Sequence, residues 1–279
     1  MKSCVFPGMC ALAACAVLLS ACSGPGSESE NSASSDVEAP LKVYLGSEEA
    51  SLSYDRIAAL PSQTFAFDDG AYFKGQEVTA VMMEDLWKAV DPERQTDTIT
   101  AYCTDKYFSV YPRAFVQTYQ PFVIIKVDGK VPSEWTGALK NASPYFISFK
   151  NDDSKPPYKY QRNKRPWGVV SVTFGKYDEM FSAFYSGVYE DLTGPAVEGR
   201  EIWVNSCASC HQAAGNGIGG HRAVRPWEVL AVHASVNVDY FKNYVLDPKS
   251  VNPVAEMEAY PEYSDAQLDT IIAFLTHGP

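Results

Sequence analysis

Residues 207–211 read Cys-Ala-Ser-Cys-His, two thiols three positions apart with an imidazole directly after the second. Three chemistries use such a set: covalent haem attachment, a redox-active dithiol, and half of a zinc site. In haem attachment, both thiols of an i, i+3 pair on one helical turn add across the porphyrin vinyl groups and hold the adjacent imidazole at the iron. All three residues then have a role. A thioredoxin-like dithiol belongs after a strand at the start of a helix, whereas "GPAVEGREIWVNS" (194–206) reads as a helix running into the motif. Zinc needs a second ligand pair, and only His221, His233 and His277 follow, without the paired spacings of zinc modules. The pattern predicts one covalent haem c on Cys207 and Cys210, with His211 as an axial ligand of its iron.

The elements that must hold this motif are legible on both sides. Gly199 and Trp203 lie eight and four residues before Cys207, and Gly215, Gly217, Gly219 and Gly220 supply a flexible stretch after His211. The final segment, "YSDAQLDTIIAFL", opens with Ser264 as N-cap and sets Leu268, Ile271, Ile272 and Leu275 at helical spacing. Together these features make residues 196–279 resemble a class I cytochrome c domain. The resemblance implies that Gly199 and Trp203 pack the first helix against the last, with Phe274 as aromatic partner. It further implies a methionine as second axial ligand between the last two helices. Met257, in the irregular "NPVAEMEAYPEY", is the only methionine after His211. It lacks the proline that often follows that methionine in the family, having Glu258 instead. His221 or His233 in its place would lower the reduction potential. His277 ends the last helix, where the helix dipole accounts for it. Glu256, Glu258 and Glu262 flank the expected ligand and would steer a basic partner to the haem edge.

The chain has 279 residues and a formal charge of −11, which argues against a nucleic-acid partner. Residues 1–21 carry Lys2 and then an apolar run too short to stay as a membrane span. They end in Leu19-Ser20-Ala21-Cys22, which resembles the bacterial lipobox, cut before a cysteine that receives lipid. Residues 22–40 are polar and aromatic-free, a flexible tether. The expected protein is exported and lipid-anchored on the periplasmic or extracellular side of a bacterial membrane. Three cysteines then remain, too few for a framework of several disulfides: Cys103, Cys207 and Cys210.

Residues 41–195 form the second expected domain, mixed α/β with mainly β content. Strands are predicted at 98–103, 121–127, 144–150 and 167–174. A helix is predicted in "VTAVMMEDLWKAV", where Val78, Val81, Met82, Leu86 and Val90 fall on one face. The order of "MEDLWKAV", "TDKYFSVYP", "VDGK", "SPYFISF" and "RPWGVVSVTF" resembles the molybdopterin-binding domain of the sulfite oxidase family. That family's metal-binding cysteine precedes the helix, and the corresponding "QTFAFDDGAYFKGQ" has none, so the resemblance implies a fold without the cofactor. Cys103 reads as a buried structural thiol. Lys150, Lys155, Lys159, Arg162, Lys164 and Arg165 make a basic loop on an acidic protein, a docking candidate for an acidic partner or oxyanion.

The functional expectation is single-electron transfer between periplasmic or membrane redox partners, with the upstream domain as a docking module. The alternative is a molybdopterin-dependent oxidoreductase of a small oxyanion such as sulfite, with the haem domain draining its electrons. Nothing specific in the sequence favours a haem sensor or a scaffold.

Overall fold

A computed structural model describes residues 38–69, 72–150, 152, 164–212 and 226–277. These residues fall within one compact unit. Its elements, in order, are β1 (Leu41–Leu45), β2 (Glu48–Leu52), α1 (Tyr54–Ala58), β3 (Ser62–Asp68), β4 (Lys74–Met82), α2 (Met83–Val90), β5 (Thr98–Cys103), β6 (Phe108–Pro112), α3 (Arg113–Tyr119), β7 (Phe122–Val127), β8 (Phe146–Ser148), β9 (Val169–Gly175), α4 (Tyr177–Met180), α5 (Pro195–Ile202), α6 (Trp227–Val236), α7 (Val238–Leu246), α8 (Pro248–Val251) and α9 (Asp265–His277). The N-terminal part is mainly sheet and the C-terminal part helical.

The strands form two sheets, one ordered β2-β1-β9-β5-β6 and one β3-β4-β7-β8. Both central strands of the expected pattern are buried on two faces, which explains their near-continuous apolar runs. On β7, Val123 and Ile125 enter the core between the sheets, while Phe122 and Ile124 face an aromatic layer with Phe67, Phe73 and Phe146. The same alternation on β6 sets the relation to the helices. Tyr111 faces the inter-sheet core, and Phe108 and Val110 enter the core built by α5, α6, α7 and α9. The outer face of the five-stranded sheet is thus one wall of the helical core.

The predicted strands correspond to β5, β7, β8 and β9. The helix predicted from Val78 begins only at Met83. Val78, Val81 and Met82 lie instead on β4, paired with both β3 and β7. An apolar run with β-branched residues satisfies either period, and strand pairing on two sides decided it.

In the helical part, Ser264 caps α9 by accepting the Gln267 N–H at 3.3 Å. Leu268, Ile271, Phe274 and Leu275 of α9 are buried and Ile272 is half-buried. Helix α5 crosses α9 at Gly199, where a Cβ atom would lie 1.9 Å from the Thr270 carbonyl oxygen. No helix among the described residues is long and apolar enough to cross a membrane.

Candidate haem-attachment site

Helix α5 continues through a wider π turn, Trp203–Cys207, directly into the Cys-Ala-Ser-Cys-His motif. The Ala208 N–H donates to the Trp203 carbonyl at 2.8 Å, a five-residue step of the kind found at functional positions in helices. After it the chain keeps helical curvature. Cys210 and His211 both donate their N–H to the Cys207 carbonyl, at 3.0 and 2.8 Å. One turn therefore carries Cys207, Cys210 and His211 together.

Aromatic packing fixes that turn. The Trp203 ring lies 5.1 Å from Trp227, 6.1 Å from Phe274 and 6.0 Å from His211. The expected contact of Trp203 and Phe274 between first and last helices is present. Tyr263, just before α9, donates its hydroxyl to Ser206 Oγ at 2.8 Å, and its ring stacks on Tyr260 at 5.5 Å.

Two ionisable groups of the motif, Cys207 and His211, are shifted in one direction, toward neutrality. Cys207 and Cys210 are not joined in a disulfide, and both keep some exposed surface. Burial pushes the Cys207 thiol up to about 12, with Cys210 as the second cause. A redox-active dithiol needs a depressed thiol pKa and a preceding strand, whereas the Cys207 thiol is raised and a helix precedes the motif. Burial lowers the His211 pKa, favouring the neutral imidazole that ligates metals. Among the described residues, no three His, Cys, Asp or Glu side chains converge to hold a bare metal ion.

The sheet part closes one side of the motif. Tyr107, between β5 and β6, is held well above the usual tyrosine pKa by burial first and then by Cys210, with Tyr111, Glu258 and Cys103 adding to it. Tyr260 is raised by burial, then by Cys207, Tyr107, Cys210 and Glu258. Tyr72 is raised by burial and then by Glu258. Tyr107 and Tyr260 therefore lie within electrostatic range of the thiols, and Glu258 within range of tyrosines from both parts of the chain. The sequence offered no signal for Tyr107, because its role depends on how the β5–β6 turn meets the helices.

The remaining candidates divide. Met257 is half-buried in the irregular segment between α8 and α9 and packs on the same core as Cys207. His233 is exposed and stacks on Tyr240 at 5.6 Å; His277 is exposed at the end of α9. Glu256, Glu258 and Glu262 are exposed. Cys103 is buried at the end of β5, and burial pushes its thiol up to about 12. Lys150 is exposed, with Nζ 3.8 Å from the Phe65 ring centroid. Lys164 and Arg165 depart from the expected docking loop. Lys164 is 0% exposed. Arg165 lies 4.1 Å from the Phe149 ring centroid and donates to Ser148 Oγ at 2.7 Å. The cause is a tie immediately downstream, where the Ile147 N–H donates to the Pro166 carbonyl at 3.0 Å and Trp167 bridges Phe146. It draws both side chains under the sheet edge. Cys22, Lys155, Lys159, Arg162, His221 and the glycines at 215, 217, 219 and 220 lie outside the described residues.

The cytochrome c family model matches residues 196–279. These residues form a cytochrome c domain. The chain is also similar to the cytochrome c oxidase subunit 2 of Alkalihalophilus pseudofirmus, 27% identical over 111 residues. That match covers 38% of this chain and 32% of the relative, so the chain spans about a third of that protein's length. Among solved structures, the sulfane dehydrogenase SoxCD from Paracoccus pantotrophus is similar at 11% identity and a TM-score of 0.35, over 49% of this chain and 38% of that one.

A cytochrome c domain implies covalently bound haem c, and the residues present fit that group. Neither thiol is in a disulfide. The buried Nδ1 of His211 and the buried Nε1 atoms of Trp203 and Trp227 have no hydrogen-bond partner among the described residues. Buried polar atoms are normally paired, so three such atoms around one motif mark a place built for a further group. Cys207 and Cys210 would hold the porphyrin and His211 its iron. The domain is an electron-transfer module.

Proposed function

We propose that the protein is a membrane-tethered single-electron carrier with one covalent haem, ligated by His211 and Met257. The motif at Cys207, Cys210 and His211, assembled on one turn with neither thiol in a disulfide, carries this reading. Haem, when bound, supplies one-electron redox chemistry. This chain's part is to attach it, exclude water and leave one side open to a partner. The aromatic cluster of Trp203, Trp227 and Phe274 excludes water from the helical side, and Phe108 and Val110 wall the same core from the sheet side. A sixth ligand from the protein suits outer-sphere transfer, since nothing need leave the iron.

Support for Met257 is its half-buried position on the Cys207 core between α8 and α9. The Leu19-Ser20-Ala21-Cys22 sequence supports export and lipidation at Cys22, with residues 22–40 as tether. The exposed Glu256, Glu258 and Glu262 favour a redox protein that presents basic residues. The sheet part serves as wall and docking surface. No observation among the described residues favours molybdenum chemistry there.

The Met257 assignment is testable on the haem-loaded protein. Met257→Ala is expected to keep covalent haem, lose the charge-transfer band of methionine-ligated ferric haem, and lower the reduction potential. Retention of that band in the variant would remove Met257 from the ligand set.

A further inference from the structure

Lys164 reaches the haem-bearing helix from the sheet side of the interface. Its side chain is 0% exposed. Nζ lies 3.4 Å from the carbonyl oxygen of Asn205, two residues before Cys207, and 5.9 Å from the Tyr111 ring centroid. Asn205 sits in the last turn of the helix formed by α5 and its π extension. Carbonyls there run out of helical partners and the negative end of the dipole gathers, so a cation is favoured. The Asn205 side chain is also engaged, donating to the Tyr177 hydroxyl at 3.1 Å and the Glu201 carbonyl at 3.0 Å. The Glu201 carboxylate accepts from Tyr177 at 3.0 Å and from Tyr185. The turn that delivers the motif is therefore held from the sheet side by one polar network.

We propose that Lys164 is a positioning residue for the haem motif, and that its buried ammonium favours the reduced iron and so raises the reduction potential. The inference rests on the electron-transfer reading above. A buried charge is costly where a methionine would pack without penalty, and in a low-dielectric interface its field is poorly screened. Reduction adds an electron, opposite in sign to the ammonium. By linkage, the reduced protein holds the Lys164 proton more tightly. Burial lowers Lys164 from 10.5 to about 7, so the charge is lost within an accessible pH range. Tyr111 on β6, beside it, and Tyr177 on α4 and Tyr185, linked to it through Asn205 and Glu201, are kept neutral there by burial. Arg165 lies against Phe149, and Glu201 is one turn back on the helix.

The test is a redox titration of the haem-loaded full chain from pH 6 to 9, for the native sequence and for Lys164→Met. The native potential is expected to fall as pH rises through 7, and Lys164→Met to start lower and lose that slope. Unfolding gives a second readout. The unfolded lysine keeps its proton up to about 10.5 and the folded one releases it near 7, so native stability rises with pH between 7 and 9. Lys164→Met loses the rise. Identical potentials and slopes in the two proteins overturn the proposal. So does a pH-independent native potential, which decides the matter even if the variant does not fold. Absence of covalent haem from the native protein contradicts the electron-transfer reading itself, a distinct result.

Discussion

Replacing both Cys207 and Cys210 with alanine abolishes covalent haem attachment, so that acidified acetone extracts all haem and denatured protein retains none. The expected loss is complete, because a thioether needs a thiol at each position and the only other described cysteine, Cys103, is buried at the end of β5. Single variants retain one thioether at most, and their pyridine haemochrome band shifts toward that of a porphyrin with one vinyl group left. His211→Ala is complementary, since it leaves both thiols and removes the imidazole. Covalent haem surviving in the double variant would mean that the motif is not the attachment site.

Gly199→Ala carries the largest expected effect on stability. The added Cβ would lie 1.9 Å from the Thr270 carbonyl oxygen, 2.6 Å from its carbon and 2.8 Å from Phe274 Cβ. Two of these neighbours are backbone of α9, so no rotamer change relieves them. The helices must separate, which disturbs Trp203 and Phe274 and with them the turn bearing Cys207. Overpacking usually costs about 1–3 kcal/mol, and a clash with backbone belongs at or above the upper end. At roughly 2–4 °C per kcal/mol for a chain of this size, the unfolding midpoint should fall by about 6–12 °C. A change within 2 °C would show that α5 and α9 do not cross at this glycine.

Chemistry-bearing residues were the most legible part of the sequence. Cys207, Cys210 and His211 announce themselves by type and spacing, and the Ser264 cap with the apolar stripe of α9 follows from local rules. Strands β5, β7 and β9 were legible because burial on both faces leaves long apolar runs. Strands β2 and β3 were not, since most of their residues are exposed, and β6 spans only five residues. The β4–α2 boundary failed because Val78, Val81 and Met82 suit both periods.

Tertiary relations were the illegible remainder. Lys164 and Arg165 read as solvated charges until the Pro166–Ile147 tie drew them inward. Phe108 and Val110 carry no mark in the sequence that they wall the helical core. Tyr107 comes within electrostatic range of Cys210 only through the position of the β5–β6 turn. Each depends on contacts between segments far apart in the chain, where neither propensity nor local pattern reaches.

The central claim is that this chain carries one haem covalently and exchanges one electron through it. Intact-mass determination of the protein matured with haem-attachment machinery, followed by an optical redox titration of the same sample, tests it most directly. One covalent haem gives a mass increase of one haem that survives denaturation, and a single transition with one-electron slope. A mass equal to that of the bare polypeptide, or a chromophore lost on denaturation, would contradict it.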